Sequence, residues 1–157
     1  MISETESVEQ VAFRVNGNTH TTDASVLALP LAEWLREYAG AVDVKVGCAE
    51  GVCGACMVLV DGVATNSCLV PVIRCDGSDI RTPGEVAVND ARGRRISRSL
   101  AHADSSQCGY CVGGILCSAA GQRCSSGDLD QVLDSHLCRC AGYTRHAQAL
   151  REAATDD

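Results

Sequence analysis

At 157 residues the chain has room for one ordinary domain or two small ones, and two small ones would need something besides apolar burial to stay folded. A net charge of −7 argues against a nucleic-acid surface, which needs clustered positive charge, and no apolar run approaches the length of a membrane-spanning helix. Large core residues are scarce, with one Phe, one Trp and three Tyr, whereas 11 cysteines far exceed ordinary usage and mark where the chemistry lies.

The opening "MISETESVEQ" is acidic and lacks the cationic region and apolar run of a secretory signal, so a cytoplasmic protein is expected. In a reducing compartment an odd number of thiols points to metal or catalysis rather than to a disulfide framework. Next, "VEQVAFRVNG" alternates Val8, Val11, Phe13 and Val15 loosely before Asn16-Gly17, which predicts a hairpin into "NTHTT". "LPLAEWLREYAG" places Leu31, Trp34, Leu35 and Tyr38 at i, i+3, i+4 and i+7 between Pro30 and Gly40, a helix with Trp34 in its core face. A glycine-rich cysteine loop follows "VDVKVG", and "CMVLVDGVATNSCLVPVI" then gives two strand-like runs about Asp61-Gly62. Two hairpins and one helix make a small mixed α+β roll of the β-grasp kind. "RCDGSDIRTPGEV" concentrates Gly, Pro and Asp, which sets a boundary near Pro83 and predicts domains over 8–83 and 84–157.

Beyond that boundary β-branched runs thin out, and short helices are expected at about 96–105, 113–123, 129–135 and 144–154. Ser126 or Asp128 would cap the third and Thr144 the fourth. "RGRRISR", with Arg92, Arg94, Arg95 and Arg98, reads as a solvated or partner-facing loop, and "ATDD" as a frayed tail. The apolar faces, built from Leu100, Ile115, Leu116, Leu129, Val132, Leu133, Leu137 and Leu150, are too thin to hold four such helices together unaided. A shared metal site would supply what they lack.

Cys48, Cys53, Cys56 and Cys68 follow C-x4-C-x2-C with a distant fourth thiol, the plant-type [2Fe-2S] spacing. Three thiolates on one tight loop can wrap a small iron–sulphur rhomb while a fourth arrives from a neighbouring strand. Gly47, Gly51 and Gly54 would let that loop turn sharply and aim N–H groups at the negative cluster. Structural zinc also takes four thiolates, but a five-residue first step is not its usual spacing.

Cys108 and Cys111 in "QCGYC" and Cys138 and Cys140 in "LCRCAGY" bracket the middle predicted helices. A disulfide across the single residue Arg139 would be strained, and zinc ribbons space paired thiolates more widely. Converging from two interhelical loops, the four thiolates can hold a second [2Fe-2S] cluster, with zinc as the alternative, and would anchor the thin helices. A Rieske centre needs two histidine ligands, and none of His20, His102, His136 or His146 stands in a Cys-x-His pair; these are expected at the surface or in packing. Cys75, Cys117 and Cys124 are left as small apolar side chains.

With "GCAEGVCGACMV", "NSCL", "QCGYC" and "LCRCAGY" in that order, the chain resembles the small iron–sulphur subunit, or N-terminal region, of the molybdenum hydroxylase family that includes xanthine dehydrogenase, aldehyde oxidase and aerobic carbon monoxide dehydrogenase. The resemblance implies an N-terminal plant-type ferredoxin-like β-grasp domain followed by a C-terminal four-helix-bundle [2Fe-2S] domain. It implies an electron relay without substrate chemistry of its own, serving a large subunit with a molybdopterin cofactor and passing electrons to a medium FAD subunit or another acceptor. Such a hetero-oligomer could be a dimer of heterotrimers. Carried over by position, Cys108, Cys111, Cys138 and Cys140 would hold the cluster nearest molybdenum and Cys48, Cys53, Cys56 and Cys68 the outer one. Gln107 would contact the pterin, and Cys140 would both ligate iron and touch it.

Two departures from the family pattern stand out. Val112-Gly113-Gly114 replaces the common Thr-Pro-Gly, removing a proline suited to a first helical turn, and the step from Cys111 to Cys138 is short, implying a trimmed hairpin between helices. Two rival readings remain at this point: a stand-alone ferredoxin-like carrier with a zinc-stapled helical extension, and a zinc interaction module without redox function.

Overall fold

The structure, a computed structural model, describes residues 10–121 and 129–155. β1 (Gln10–Val15) and β2 (Asn18–Asp23) pair antiparallel around Asn16-Gly17, whose φ values of 51° and 82° are those of the tight turn that matches strand twist. Val11, Phe13 and Val15 alternate inward along β1. α1 (Leu31–Glu37) buries Leu31, Ala32, Trp34 and Leu35, and Trp34 meets Phe13 edge-on at 4.7 Å. Tyr38 lies just past the helix and is 55% exposed, stacked on Trp34 rather than buried with it.

β3 (Met57–Val60) and β4 (Val63–Asn66) form the second hairpin around Asp61-Gly62, again with both φ values positive. A fifth strand, β5 (Asp79–Arg81), was not expected from the sequence. It inserts between the hairpins, parallel to β1 and antiparallel to β3, giving the order β2-β1-β5-β3-β4. Only Ile80 in it is fully buried, so a three-residue strand inside a Gly/Pro/Asp-rich stretch carries no periodic signal.

α2 (Pro83–Asn89) was also unexpected: Pro83, read from sequence as punctuation, occupies a first-turn position where a missing N–H costs nothing. α3 (Ala91–His102) starts well before the predicted residue 96. The Asp90 carboxylate accepts the N–H of Gly93 at 2.8 Å and pairs with Arg81 at 3.0 Å, so "RGRRISR" is helix and not a loop. α4 (Val112–Ala120), α5 (Leu129–Asp134) and α6 (Thr144–Thr155) correspond to the remaining predicted helices. Thr144 is the first residue of α6 rather than its cap. The proposed caps Ser126 and Asp128, and Cys124, lie outside the described residues.

Two apolar cores flank the sheet. One joins Phe13, Leu31, Trp34, Leu35, Val58 and Ile80; the other joins Met57 and Leu59 to Ile96, Leu100, Ile115, Leu116 and Leu150. Alternation along β3 explains the split, since Val58 faces α1 while Met57 and Leu59 face the helices. The thin helical faces therefore lean on the back of the sheet. Leu137, expected among them, is instead 64% exposed. No helix among the described residues is long and apolar enough to cross a membrane.

Candidate metal centres

The loop between α1 and β3 carries Cys48 and Cys53, both half-buried, and ends at buried Cys56; Cys68 sits on a buried turn just after β4. Pairing of Met57 with Asn66 in the hairpin brings Cys56 and Cys68 together. Asn66 ties this arrangement down, its Oδ1 accepting from the Cys56 thiol at 3.9 Å while its Nδ2 donates to the Gly51 carbonyl at 3.1 Å. Ser67 Oγ donates to the Cys56 carbonyl at 2.6 Å.

Backbone N–H groups of Glu50, at 3.3 Å, and of Cys53 and Val52 point at Cys48 Sγ and, with the neighbouring Cys53 thiol, bring its pKa down to about 6. Burial, followed by the adjacent Cys56 thiol, pushes Cys68 up to about 11. Such a set suits a cation-rich centre that takes thiolates: exposed N–H groups are ready for negative sulphur, and the buried thiol is costly to ionise until metal is beside it. Gly51 takes a left-handed φ of 76°, as a sharp loop requires. Gly47 serves differently, because a Cβ there would lie 3.0 Å from Cys53 Sγ.

In the helical half, Cys108 and Cys111 lie between α3 and α4, with Cys111 immediately before the first helical residue, and Cys138 and Cys140 lie between α5 and α6. Cys111 adjoins Cys138 and Cys140 adjoins Cys108, so the four thiols gather. Cys111 is buried, Cys138 half-buried, and Cys108 and Cys140 exposed. Burial, then the Cys138 thiol, pushes Cys111 up to about 12. Burial also pushes on Cys138, but N–H groups of Ala141, Cys140 and Gly142 and the Cys111 thiol outweigh it and hold Cys138 below its ordinary value. Contact with Cys108 raises Cys140. Tyr143 clasps the turn, its hydroxyl accepting the Cys138 N–H at 2.8 Å and donating to the His136 carbonyl at 3.1 Å. Gln107 Nε2 donates to the Cys140 carbonyl at 3.3 Å on the exposed edge.

The two cysteine loops touch. The Leu137 N–H donates to the Cys53 carbonyl at 3.1 Å, and the Tyr110 hydroxyl donates to the Val46 carbonyl at 2.6 Å. Gly114 lets α4 press onto this junction, since a Cβ there would meet the Gly54 carbonyl at 2.1 Å. Gly113, which stands where the family commonly has proline, packs against Pro83, 3.1 Å from where a Cβ would sit.

Cys75 and Cys117 stand apart, each fully buried in one of the two cores. Two histidines were underestimated by sequence spacing. His136 is buried, its Nδ1 2.7 Å from the Val132 carbonyl and its Nε2 3.3 Å from Ser118 Oγ. His146 is buried too, with Nε2 4.0 Å from Cys111 Sγ, and forms with Cys111 and Cys138 a group whose ligand atoms lie within 4.8 Å of one another. A Cys-x-His filter misses it. Its place on the buried stripe of α6 with Ala149, Leu150 and Ala153, directly after the thiol pair, was the available signal.

Residues 13–74 match the 2Fe-2S iron-sulfur cluster binding domain family, and residues 85–151 match the [2Fe-2S] binding domain family. The chain is 33% identical over 149 residues to the nicotine 6-hydroxylase small subunit of Paenarthrobacter nicotinovorans, covering 92% of this chain and 88% of that one. It is 35% identical over 151 residues to the xanthine dehydrogenase iron-sulfur-binding subunit of Escherichia coli, covering 90% and 89%. Among solved structures, that of quinoline 2-oxidoreductase from Pseudomonas putida 86 matches with a TM-score of 0.77 at 28% identity over 93% of each chain.

Proposed function

Because the chain belongs to the small iron–sulphur subunits of the xanthine dehydrogenase and molybdenum hydroxylase family, we propose that it is the electron-relay subunit of such a complex. Electrons come from a molybdopterin cofactor on a large partner subunit and leave to an FAD subunit or another acceptor. In this reading Cys48, Cys53, Cys56 and Cys68 hold the outer [2Fe-2S] cluster and Cys108, Cys111, Cys138 and Cys140 the one nearest molybdenum. Each cluster, when bound, supplies a one-electron carrier.

The observation that carries the reading is the grouping of eight thiols into two sets of four on loops joined by one backbone hydrogen bond, Leu137 N–H to Cys53 C=O at 3.1 Å. From Cys138 the path runs along one peptide to Leu137, across that bond and into Cys53. Exposure of Cys108 and Cys140 on one edge, with Gln107 held against Cys140, supports an entry side facing the large subunit, where Gln107 and Cys140 meet the pterin. A reducing, cytoplasmic setting belongs to the proposal, because thiolates must reach iron unoxidised.

Zinc in the helical half is disfavoured, since residues 85–151 match a [2Fe-2S] family. Purification of the native complex tests the reading: four iron and four acid-labile sulphide per copy of this chain are expected, with molybdenum on a copurifying subunit. Two iron with bound zinc would support the stand-alone carrier. A colourless chain with no dithionite-sensitive visible absorption would overturn both.

A further inference from the structure

We propose that His146 is a positioning residue for the helical-half cluster: its Nε2–H donates a hydrogen bond to Cys111 Sγ and raises that cluster's reduction potential. The inference rests on the assignment of Cys108, Cys111, Cys138 and Cys140 as iron ligands.

The imidazole is held by α6 rather than by the ligand loops. His146 is fully buried, on the same helical stripe as Ala149 and Leu150, so its ring cannot swing out to water without disturbing the second core. Nε2 lies 4.0 Å from Cys111 Sγ, the outer limit for a hydrogen bond to sulphur, and Cys138 Sγ completes a group within 4.8 Å. Among the described residues Nδ1 has no hydrogen-bond partner. That asymmetry decides the tautomer. A proton on Nδ1 would bury an unpaired donor and turn the Nε2 lone pair toward an electron-rich sulphur; a proton on Nε2 places the donor where the acceptor is.

A thiolate bound to iron remains an acceptor, and reduction adds one electron whose charge falls partly on the ligand sulphurs. A donor aimed at such a sulphur therefore stabilises the reduced cluster more than the oxidised one. The outer cluster's four cysteines have no such helix-borne imidazole contact among the described residues; their sulphur contacts come from backbone N–H groups and Asn66.

The test is a redox titration of the assembled complex followed by electron paramagnetic resonance, comparing wild type, His146→Leu and His146→Gln. Leu should shift the reduced-to-oxidised equilibrium of the helical-half cluster toward oxidised by up to about tenfold, about 59 mV for one electron, with the outer cluster unmoved. Gln, which keeps an N–H donor, should recover much of it. Equal potentials in all three, with four iron per chain and both signals present, would overturn this inference and leave the relay reading standing. If the Leu variant fails to load iron, wild-type complex grown with 15N-histidine decides by pulsed resonance: a histidine nitrogen coupling at the helical-half cluster is expected, and its absence refutes the contact. Absence of a second cluster signal in wild type would instead defeat the relay reading.

Discussion

Gly54→Ala probes whether the two cysteine loops are locked together. Gly54 has φ +70°, and a Cβ there would sit 2.5 Å from His136 Cδ2, 2.6 Å from the Ser135 carbonyl and 2.8 Å from His136 Nε2. Gly17 is the control: its φ is +82° but a Cβ would meet nothing within 4 Å. Left-handed strain costs about 1–2 kcal/mol at either position, offset by about 0.4–1 kcal/mol from a stiffer unfolded chain, so Gly17→Ala should lose about 1 kcal/mol. At Gly54 the added methyl must also displace a buried imidazole and a backbone carbonyl, which adds about 1–3 kcal/mol. For a chain of this size 1 kcal/mol moves Tm by about 2–4 °C. Thermal unfolding of loaded protein, followed by circular dichroism and by visible absorbance, should therefore place Gly54→Ala about 2–12 °C below Gly17→Ala. Hydrogen exchange should show the Leu137 amide less protected in the Gly54 variant alone. Equal melting temperatures with unchanged Leu137 protection would refute the locked junction.

Replacing a single ligand gives a sharper view of the assignment. Cys138→Ser should abolish one of two resonance signals of the reduced protein, keep the other, and loosen the helical half because metal binding and folding are coupled; two unchanged signals would refute it. Asp90 is a cap whose carboxyl burial pushes up but which the Gly93 N–H and Arg81 hold below its usual range. Its contribution is complete above the unfolded carboxyl value of about 3.9 and is lost only as pH falls through the lower folded value. Asp90→Ala should thus cost about 1–2 kcal/mol, unchanged between about pH 8 and 5, and a difference in Tm that varied across that window would count against the cap. In the iron-free chain Cys48, whose thiol is brought down to about 6, is thiolate at neutral pH, whereas Cys111, pushed up to about 12, is not. Mass spectrometry should find Cys48 alkylated first at pH 7, and equal rates would show that the iron-free loops do not keep this geometry.

What could be read from sequence was what is local. Both tight turns, the core face of α1 and the grouping of thiols by spacing depend on neighbours a few residues apart. β5 escaped because its identity as a strand comes from partners far along the chain: Asp79 lies opposite Arg14, and Arg81 opposite Leu59. α2 and the start of α3 escaped because Pro83, Gly84 and Gly93 read as breakers, although Pro83 fits a first turn and Gly93 is the donor that Asp90 caps. The helical faces are thin, and the thiol loops are not all that holds them. Met57 and Leu59 complete their core from the sheet, a contribution no inspection of the second half alone could find.

That shared core bears on the relay itself. Electron transfer between two carriers depends on their separation, and here the separation is set within one chain by contacts that leave little slack. Gly114 approaches the Gly54 carbonyl too closely for any side chain, Leu137 bonds to Cys53, and Tyr110 reaches Val46 from beside Cys111. Each contact runs from the helical half to the loop between α1 and β3, and β3 supplies the floor beneath them, burying Val58 on one face and Leu59 on the other. In the proposed complex, a partner subunit at the exposed edge near Cys108 and Cys140 would not have to define the distance between the two thiol groups. At Gly113, where the family commonly carries proline, a Cβ would lie 3.1 Å from Pro83, the residue that starts α2, so the start of α4 packs closely on α2.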